Sequence, residues 1–178
     1  TFKFKHALVR DAAYASLLRK DRAALHLTIA ERLAAEFPEI ADTQPEVVAH
    51  HFEAAKDADR AALYFLRAAE LSAKRSGFVE AIAQLARALD LLAAQPESAS
   101  RLRRELQVYL ALGGINAEYR GFSAAECGNA YDQALERCRR LGNPPEIFAV
   151  LSGVGAFETT FQRSGAVDLG VDSRGFAQ

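Results

Sequence analysis

Apolar residues recur along most of this chain at the three-then-four spacing of an amphipathic helix. The clearest stretch is residues 62–95. Ala62, Phe65, Leu66, Ala69 and Ala73 share one face of a first helix. Ser76-Gly77 breaks the pattern, and a glycine there takes φ > 0 and ends a helix without steric cost. Phe78, Ile82, Leu85, Leu89 and Leu92 form the stripe of a second helix, with Ala81 and Ala88 beside it. Small residues at those positions let two helices approach closely.

The same reading extends in both directions. Thr1 to His6 alternates apolar and basic residues, the period of a short half-buried strand. Helices are predicted over 7–19, burying Leu8, Ala12, Ala15 and Leu18, and over 22–37, burying Leu25, Ile29, Leu33 and Phe37, with Pro38 ending the second. Residues 40–44 read as a connector. Asp42 or Thr43 caps the next helix and Pro45 occupies its first turn. That helix runs to 55 with Val47, Val48, His51 and Phe52 inward. Lys56-Asp57 is the following break, with Asp57 as N-cap.

Beyond Pro96, a helix over 101–116 turns Leu102, Leu106, Tyr109 and Leu110 inward. Arg101, Arg103 and Arg104 stand in its first turn, where the dipole disfavours cations, so solvent or acidic partners such as Glu97 and Glu105 are expected to stabilise them. Ser123 and Glu126 read as a capping box for a helix carrying Cys127, Tyr131, Ala134 and Leu135. Gly142-Asn143-Pro144-Pro145 is a stop. A helix over 146–163 follows, which Gly153 and Gly155 weaken by about 1 kcal/mol each unless they allow close packing. Ser164-Gly165 turns, and residues 164–178 read as a truncated or frayed end that leaves an apolar face uncovered.

Residues 62–95 resemble a tetratricopeptide repeat, a helix-turn-helix unit of about 34 residues. Phe65 fills the large aromatic position and Ala69 the small one after it. Ala81, Leu85 and Ala88 fill the small-large-small triplet of the second helix, and Cys127, Tyr131 and Ala134 repeat its spacing. Two positions depart: Ser72 stands where the family has a large aromatic, and the closing proline comes late, as Pro96. The expected fold is therefore all-α, antiparallel helix pairs stacked as a short tetratricopeptide-like solenoid, with a short N-terminal strand.

A second resemblance lies upstream. The run FKHALVRDAAY (4–14), followed by Leu17, Leu18, His26, Ile29, Ala30, Pro45, Glu46, Ala49, His50, His51 and Phe52, is similar to a segment of bacterial multidomain signalling proteins. In those proteins an AAA-like or STAND-type NTPase module is followed by a winged-helix end and then by tetratricopeptide-like repeats. Many carry a class III adenylate/guanylate cyclase domain, and relatives carry a DNA-binding domain instead. The resemblance implies three regions: 1–55, the winged-helix end and linker; 56–163, the repeats; and 164–178, the frayed end. It places His6, Arg10, Asp11 and Tyr14 at an interdomain contact and any ATP in an upstream domain.

Composition narrows the function. Of 178 residues half are apolar and a quarter charged, with a formal net charge of −1, so no global field draws in nucleic acid or an anionic membrane. A basic cluster does stand near the start (Lys3, Lys5, Arg10, Arg19, Lys20, Arg22). It reads as a DNA- or phosphate-contacting face, or as a solvated face or one docked on an acidic neighbour; no base-reading Asn or Gln accompanies it. Two cysteines and no secretory or spanning segment point to a reducing compartment, the cytoplasm. No methionine is present even at the first position, so the chain reads as a piece of a longer protein.

Site chemistry is sparse. Cys127 and Cys138 on one helix are about 16 Å apart at a rise of about 1.5 Å per residue, too far for a disulfide or shared metal. His50 and His51 diverge by about 100° and no histidine pair has i, i+4 spacing, so structural or interface roles are expected rather than a metal. No lysine follows a glycine, which rules out a Walker-type loop, and no G-x-S-x-G, H-E-x-x-H or C-x-x-C occurs. The expectation is a non-catalytic regulatory or protein-interaction scaffold without cofactor, facing a protein partner or its own upstream NTPase domain. A nucleic-acid module is the alternative. A small helical enzyme has no constellation to support it.

Overall fold

The computed structural model describes residues 18–142 and 144–168. Among these residues there are eight α-helices and no strand: α1 (Arg19–Glu36), α2 (Pro38–Thr43), α3 (Pro45–Ala54), α4 (Ala58–Lys74), α5 (Phe78–Ala93), α6 (Ala99–Arg120), α7 (Ala125–Arg140) and α8 (Ile147–Asp168). The all-α expectation holds for this region. The predicted N-terminal strand and nearly all of the helix over 7–19 lie outside the described residues. Leu18 lies inside them and is not buried in a helix: it is extended, 73% exposed, and precedes α1.

Each helix packs on the next long one in the chain. α1 lies on α3, α3 on α4, α4 on α5, α5 on α6, α6 on α7 and α7 on α8, while α6 also touches α4 and α8. Hairpin-like neighbours follow from short connections, which leave a helix nowhere to go but back along its predecessor. One core joins α1, α3, α4 and α5 to one side of α6 through Val108 and Ile115. Two smaller cores join the other side of α6, through Leu106 and Ala117, to α7 and α8. α6 is thus apolar on two sides, not on the single stripe that its sequence suggests.

Several local expectations are corrected. Leu25 and Phe37 are exposed, because α1 docks on α3 through Ala30, with Leu27, Leu33 and Ala34 flanking. The small Ala30 allows the close approach, so the docked stripe is rotated from the one drawn through the largest side chains. Residues 40–44 are not a plain connector: Pro38 opens the short helix α2, and Thr43 donates its hydroxyl to the Glu39 carbonyl (2.6 Å) instead of capping α3. Pro45 does open α3, and Asp57 caps α4, its carboxylate accepting from the Arg60 amide at 3.0 Å.

The capping box at Ser123 and Glu126 is out of register by one residue. Ala124 is the N-cap of α7, and Glu126 pairs with Arg120 (3.2 Å). Nor does the chain turn at Ser164-Gly165, since α8 runs through to Asp168. Ser and Gly lower helix propensity by about 1 kcal/mol at most, which stops a helix only when a left-handed residue and a competing cap follow.

The breaks at 56–57 and 76–77 share one geometry. Asp57 donates to the Phe52 carbonyl and Lys56 to Glu53, and Gly77 donates to the Ser72 carbonyl and Ser76 to Ala73. These are paired 6→1 and 5→2 bonds that tie off a helix end. The left-handed residues are Lys56 (φ 67°) and Ser76 (φ 62°), not Gly77, whose φ is −82°. A side chain in that region costs about 1–2 kcal/mol, partly offset by the lower entropy of the unfolded non-glycine chain. Ser76→Gly is therefore expected to stabilise the protein by about 0.5–1 kcal/mol, read as a higher urea midpoint with an unchanged slope.

Candidate functional site

The eight residues singled out as repeat positions are all buried. Phe65 and Ala69 (α4) meet Ala81, Leu85 and Ala88 (α5) in the first core, while Cys127, Tyr131 and Ala134 (α7) face α6 and α8. They hold the helices together and present no chemistry to solvent. His6, Arg10, Asp11 and Tyr14 lie outside the described residues, as do Lys3 and Lys5 of the basic cluster.

What these contacts leave open is a trough between α4 and α6. The two helices run parallel. Arg104 lies against Asp59 at one end (Nε–Oδ1 3.3 Å), and Lys74 lies near Glu118 at the other. Two hollows follow one another along the trough and share Glu70 and Ala111. The first, of about 310 Å³, is lined by Ala73, Ala111, Gly114 and Ile115, with Glu70, Lys74 and Glu118 around them. The second, of about 440 Å³, is lined by Leu63, Leu66 and Leu110, with Arg67, Arg104 and Gln107 above. An apolar floor under charged walls suits a side-chain-bearing ligand more than a small polar molecule.

The trough is positioned by the same sequence features that build the core. The α4–α5 turn sets α4, and α6 is fixed from its other side by a carboxylate buried to 3% exposure, Glu105. Glu105 accepts from Arg101 Nε on its own helix (2.6 Å) and from Arg137 Nε on α7 (3.0 Å). Arg137 in turn lies over the Tyr109 ring at 4.7 Å. Of the two expected partners for the first-turn arginines, Glu105 holds Arg101 and Glu97 pairs instead with Arg140, while Arg104 is held by Asp59, which the sequence did not point to.

Glycine contacts lock the far wall. A Cβ on Gly113 would stand 2.8 Å from the Tyr131 ring, and one on Gly153 only 2.2 Å from the same ring. On the return side, a Cβ on Gly128 would lie 2.5 Å from Phe157. So α7 and α8 each seat an aromatic on the other's glycine, and Tyr131 also rests on α6.

The histidines are brought together across α1 and α3. His26 Nδ1 and His51 Nδ1 are 2.8 Å apart, one donating to the other, and His50 stands edge-on to Phe65 with Nδ1 3.4 Å from Glu53. Among the described residues no group of three or more His, Cys, Asp or Glu is arranged to hold a metal ion. Burial pushes the His51 imidazole below its ordinary 6.5, and His26 and His50 beside it add to the shift. The neutral form is favoured by the fold, so the unfolded chain takes up the proton first. Stability is fully present above pH 6.5 and falls as pH drops below it. Urea midpoints measured between about pH 7 and 5 should decline, and His51→Gln should flatten that decline. An equal slope in the variant would remove His51 as the cause.

Sequence reasoning missed the trough and the histidine pair. The signal for the trough was the Gly113-Gly114 doublet inside a long helix. The histidine pair spans 25 positions and left no local mark.

No family model matches the chain and no solved structure does. An uncharacterized protein (R02095) of Rhizobium meliloti (strain 1021) is 30% identical over 139 residues, which are 78% of this chain and 14% of that protein. The chain thus spans about one seventh of the length of the relative it matches. Among the described residues no helix is long and apolar enough to cross a membrane.

Proposed function

We propose that this chain is a non-catalytic regulatory scaffold, a tetratricopeptide-like solenoid that holds a segment of protein in the α4–α6 trough. The observation that carries the reading is the trough itself, open, apolar-floored and walled by two parallel helices that belong to successive helix pairs. Contact between the first helices of successive pairs is what a stacked repeat produces. The module is read as one part of a longer cytoplasmic signalling protein, beside an NTPase domain, as its resemblance to such proteins implies. The far greater length of the Rhizobium relative fits a modular parent.

The test is a selection from a displayed library of amphipathic helical peptides, followed by hydrogen exchange on the folded chain. Selected peptides are expected to slow exchange on α4 and α6. Peptides that protect only other helices, or no binders at all, would end the trough reading. Separately, the isolated chain is expected neither to bind nor to hydrolyse ATP, and turnover in pure protein would overturn the non-catalytic assignment.

A further inference from the structure

Gly113 and Gly114 sit side by side in α6 but have different reasons to be glycine. Gly113 is forced by the Tyr131 ring. At Gly114 an added Cβ would meet no described residue within 4 Å, and its φ is not in the left-handed region. Alanine there would fit this fold and favour the helix. The packing of the described residues on one another therefore gives no cause for this glycine. Its place does: Gly114 lines the first hollow of the trough, beside Ala73 and Ala111. Three small residues there leave a floor on which another backbone can come close.

The charges around the hollow add a second constraint. Glu70 and Glu118 bring two carboxylates from opposite walls, against the single ammonium of Lys74. None of the three makes an ion pair with another described residue, whereas Arg104 further along is already tied to Asp59. The rim at Gly114 is net negative and calls for a cation. Both walls are helices, whose backbone groups are satisfied internally, so an extended ligand would find no ladder to join. A helical ligand brings its own backbone bonds and needs only side-chain contacts.

We propose that the hollow over Gly114 seats an amphipathic helix of a partner protein, with a large apolar side chain on Ala73 and Ala111 and a Lys or Arg one turn away between Glu70 and Glu118. This rests on the trough reading above and specifies the occupant.

The probe is the set of helical peptides selected on the wild-type chain, with affinity measured by fluorescence anisotropy. Peptides that protect α4 and α6 should carry Lys or Arg within one turn of a Leu, Ile or Phe. Gly114→Ala should raise the melting temperature and yet weaken these peptides at least tenfold. The pair Glu70→Lys and Glu118→Lys should weaken them likewise and favour acidic peptides on reselection. If trough-binding peptides lack the basic residue, or bind Gly114→Ala as well as wild type, this inference fails while the trough reading stands. If no peptide protects α4 and α6, both fail. Self-association of the chain that Gly114→Ala abolishes would make a second copy the occupant and overturn the partner assignment.

Discussion

Gly153→Ala is expected to destabilise the protein by about 2–3 kcal/mol, although alanine is the better helix former by about 1 kcal/mol. The new Cβ would stand 2.2–2.5 Å from three atoms of the Tyr131 ring. That ring cannot retreat, because Gly113 lies under it from α6, where even a missing Cβ position is only 2.8 Å away. Relief requires α8 to move off α7, which also unseats Phe157 from Gly128. Gly155→Ala is the internal control. It lies two residues on in the same helix, with no described residue within 4 Å of the added Cβ, and is expected to stabilise by up to about 1 kcal/mol. Opposite signs in paired urea titrations check the geometry. In the Gly153→Ala background, Tyr131→Leu should recover part of the loss. Equal effects at 153 and 155 would show that propensity alone governs the helix and that the ring contact is not tight.

Glu105→Ala is expected to cost about 3–5 kcal/mol, enough to unfold a marginal domain. The carboxylate is nearly fully buried and its two arginine partners are largely buried as well, at 19% and 16% side-chain exposure. Its removal leaves two guanidinium groups with their charge uncompensated, which is dearer than losing the hydrogen bonds alone. The discriminating variant is the triple replacement of Arg101, Glu105 and Arg137 by apolar residues of similar volume, expected to lie near wild-type stability or above it. A single Glu105→Ala as stable as wild type would mean that the arginines escape to solvent and that the triad does not fix α6.

Helix identity was most legible in α4, α5 and α7, where the 3.6-residue period is strong, and at Asp57, Pro45 and the Pro144-Pro145 stop, which are punctuation with a local mechanism. What was not legible depends on partners far along the chain. Gly113 and Gly114 look alike in sequence, and only Tyr131, on the next helix, separates a packing glycine from one that lines a groove. Glu70, Lys74 and Glu118 carry the pattern of a solvated helix face, and they become a rim only when α4 and α6 run side by side. The doublet Ser164-Gly165 misled in the other direction, since low propensity was read as a stop although the helix continues to Asp168.

α6 belongs to both halves of the packed region, facing Val108 and Ile115 one way and Leu106 and Ala117 the other. Consecutive helix pairs that share no such element can lose an end without the rest responding. Here loosening at either end frees a face of the helix that forms one bank of the trough. An occupant of the trough would then act as a gauge of integrity, released when the α1–α5 side opens and equally when α7 and α8 peel away. Occupancy would in turn clamp the two halves together, so that they unfold as one cooperative block instead of in sequence.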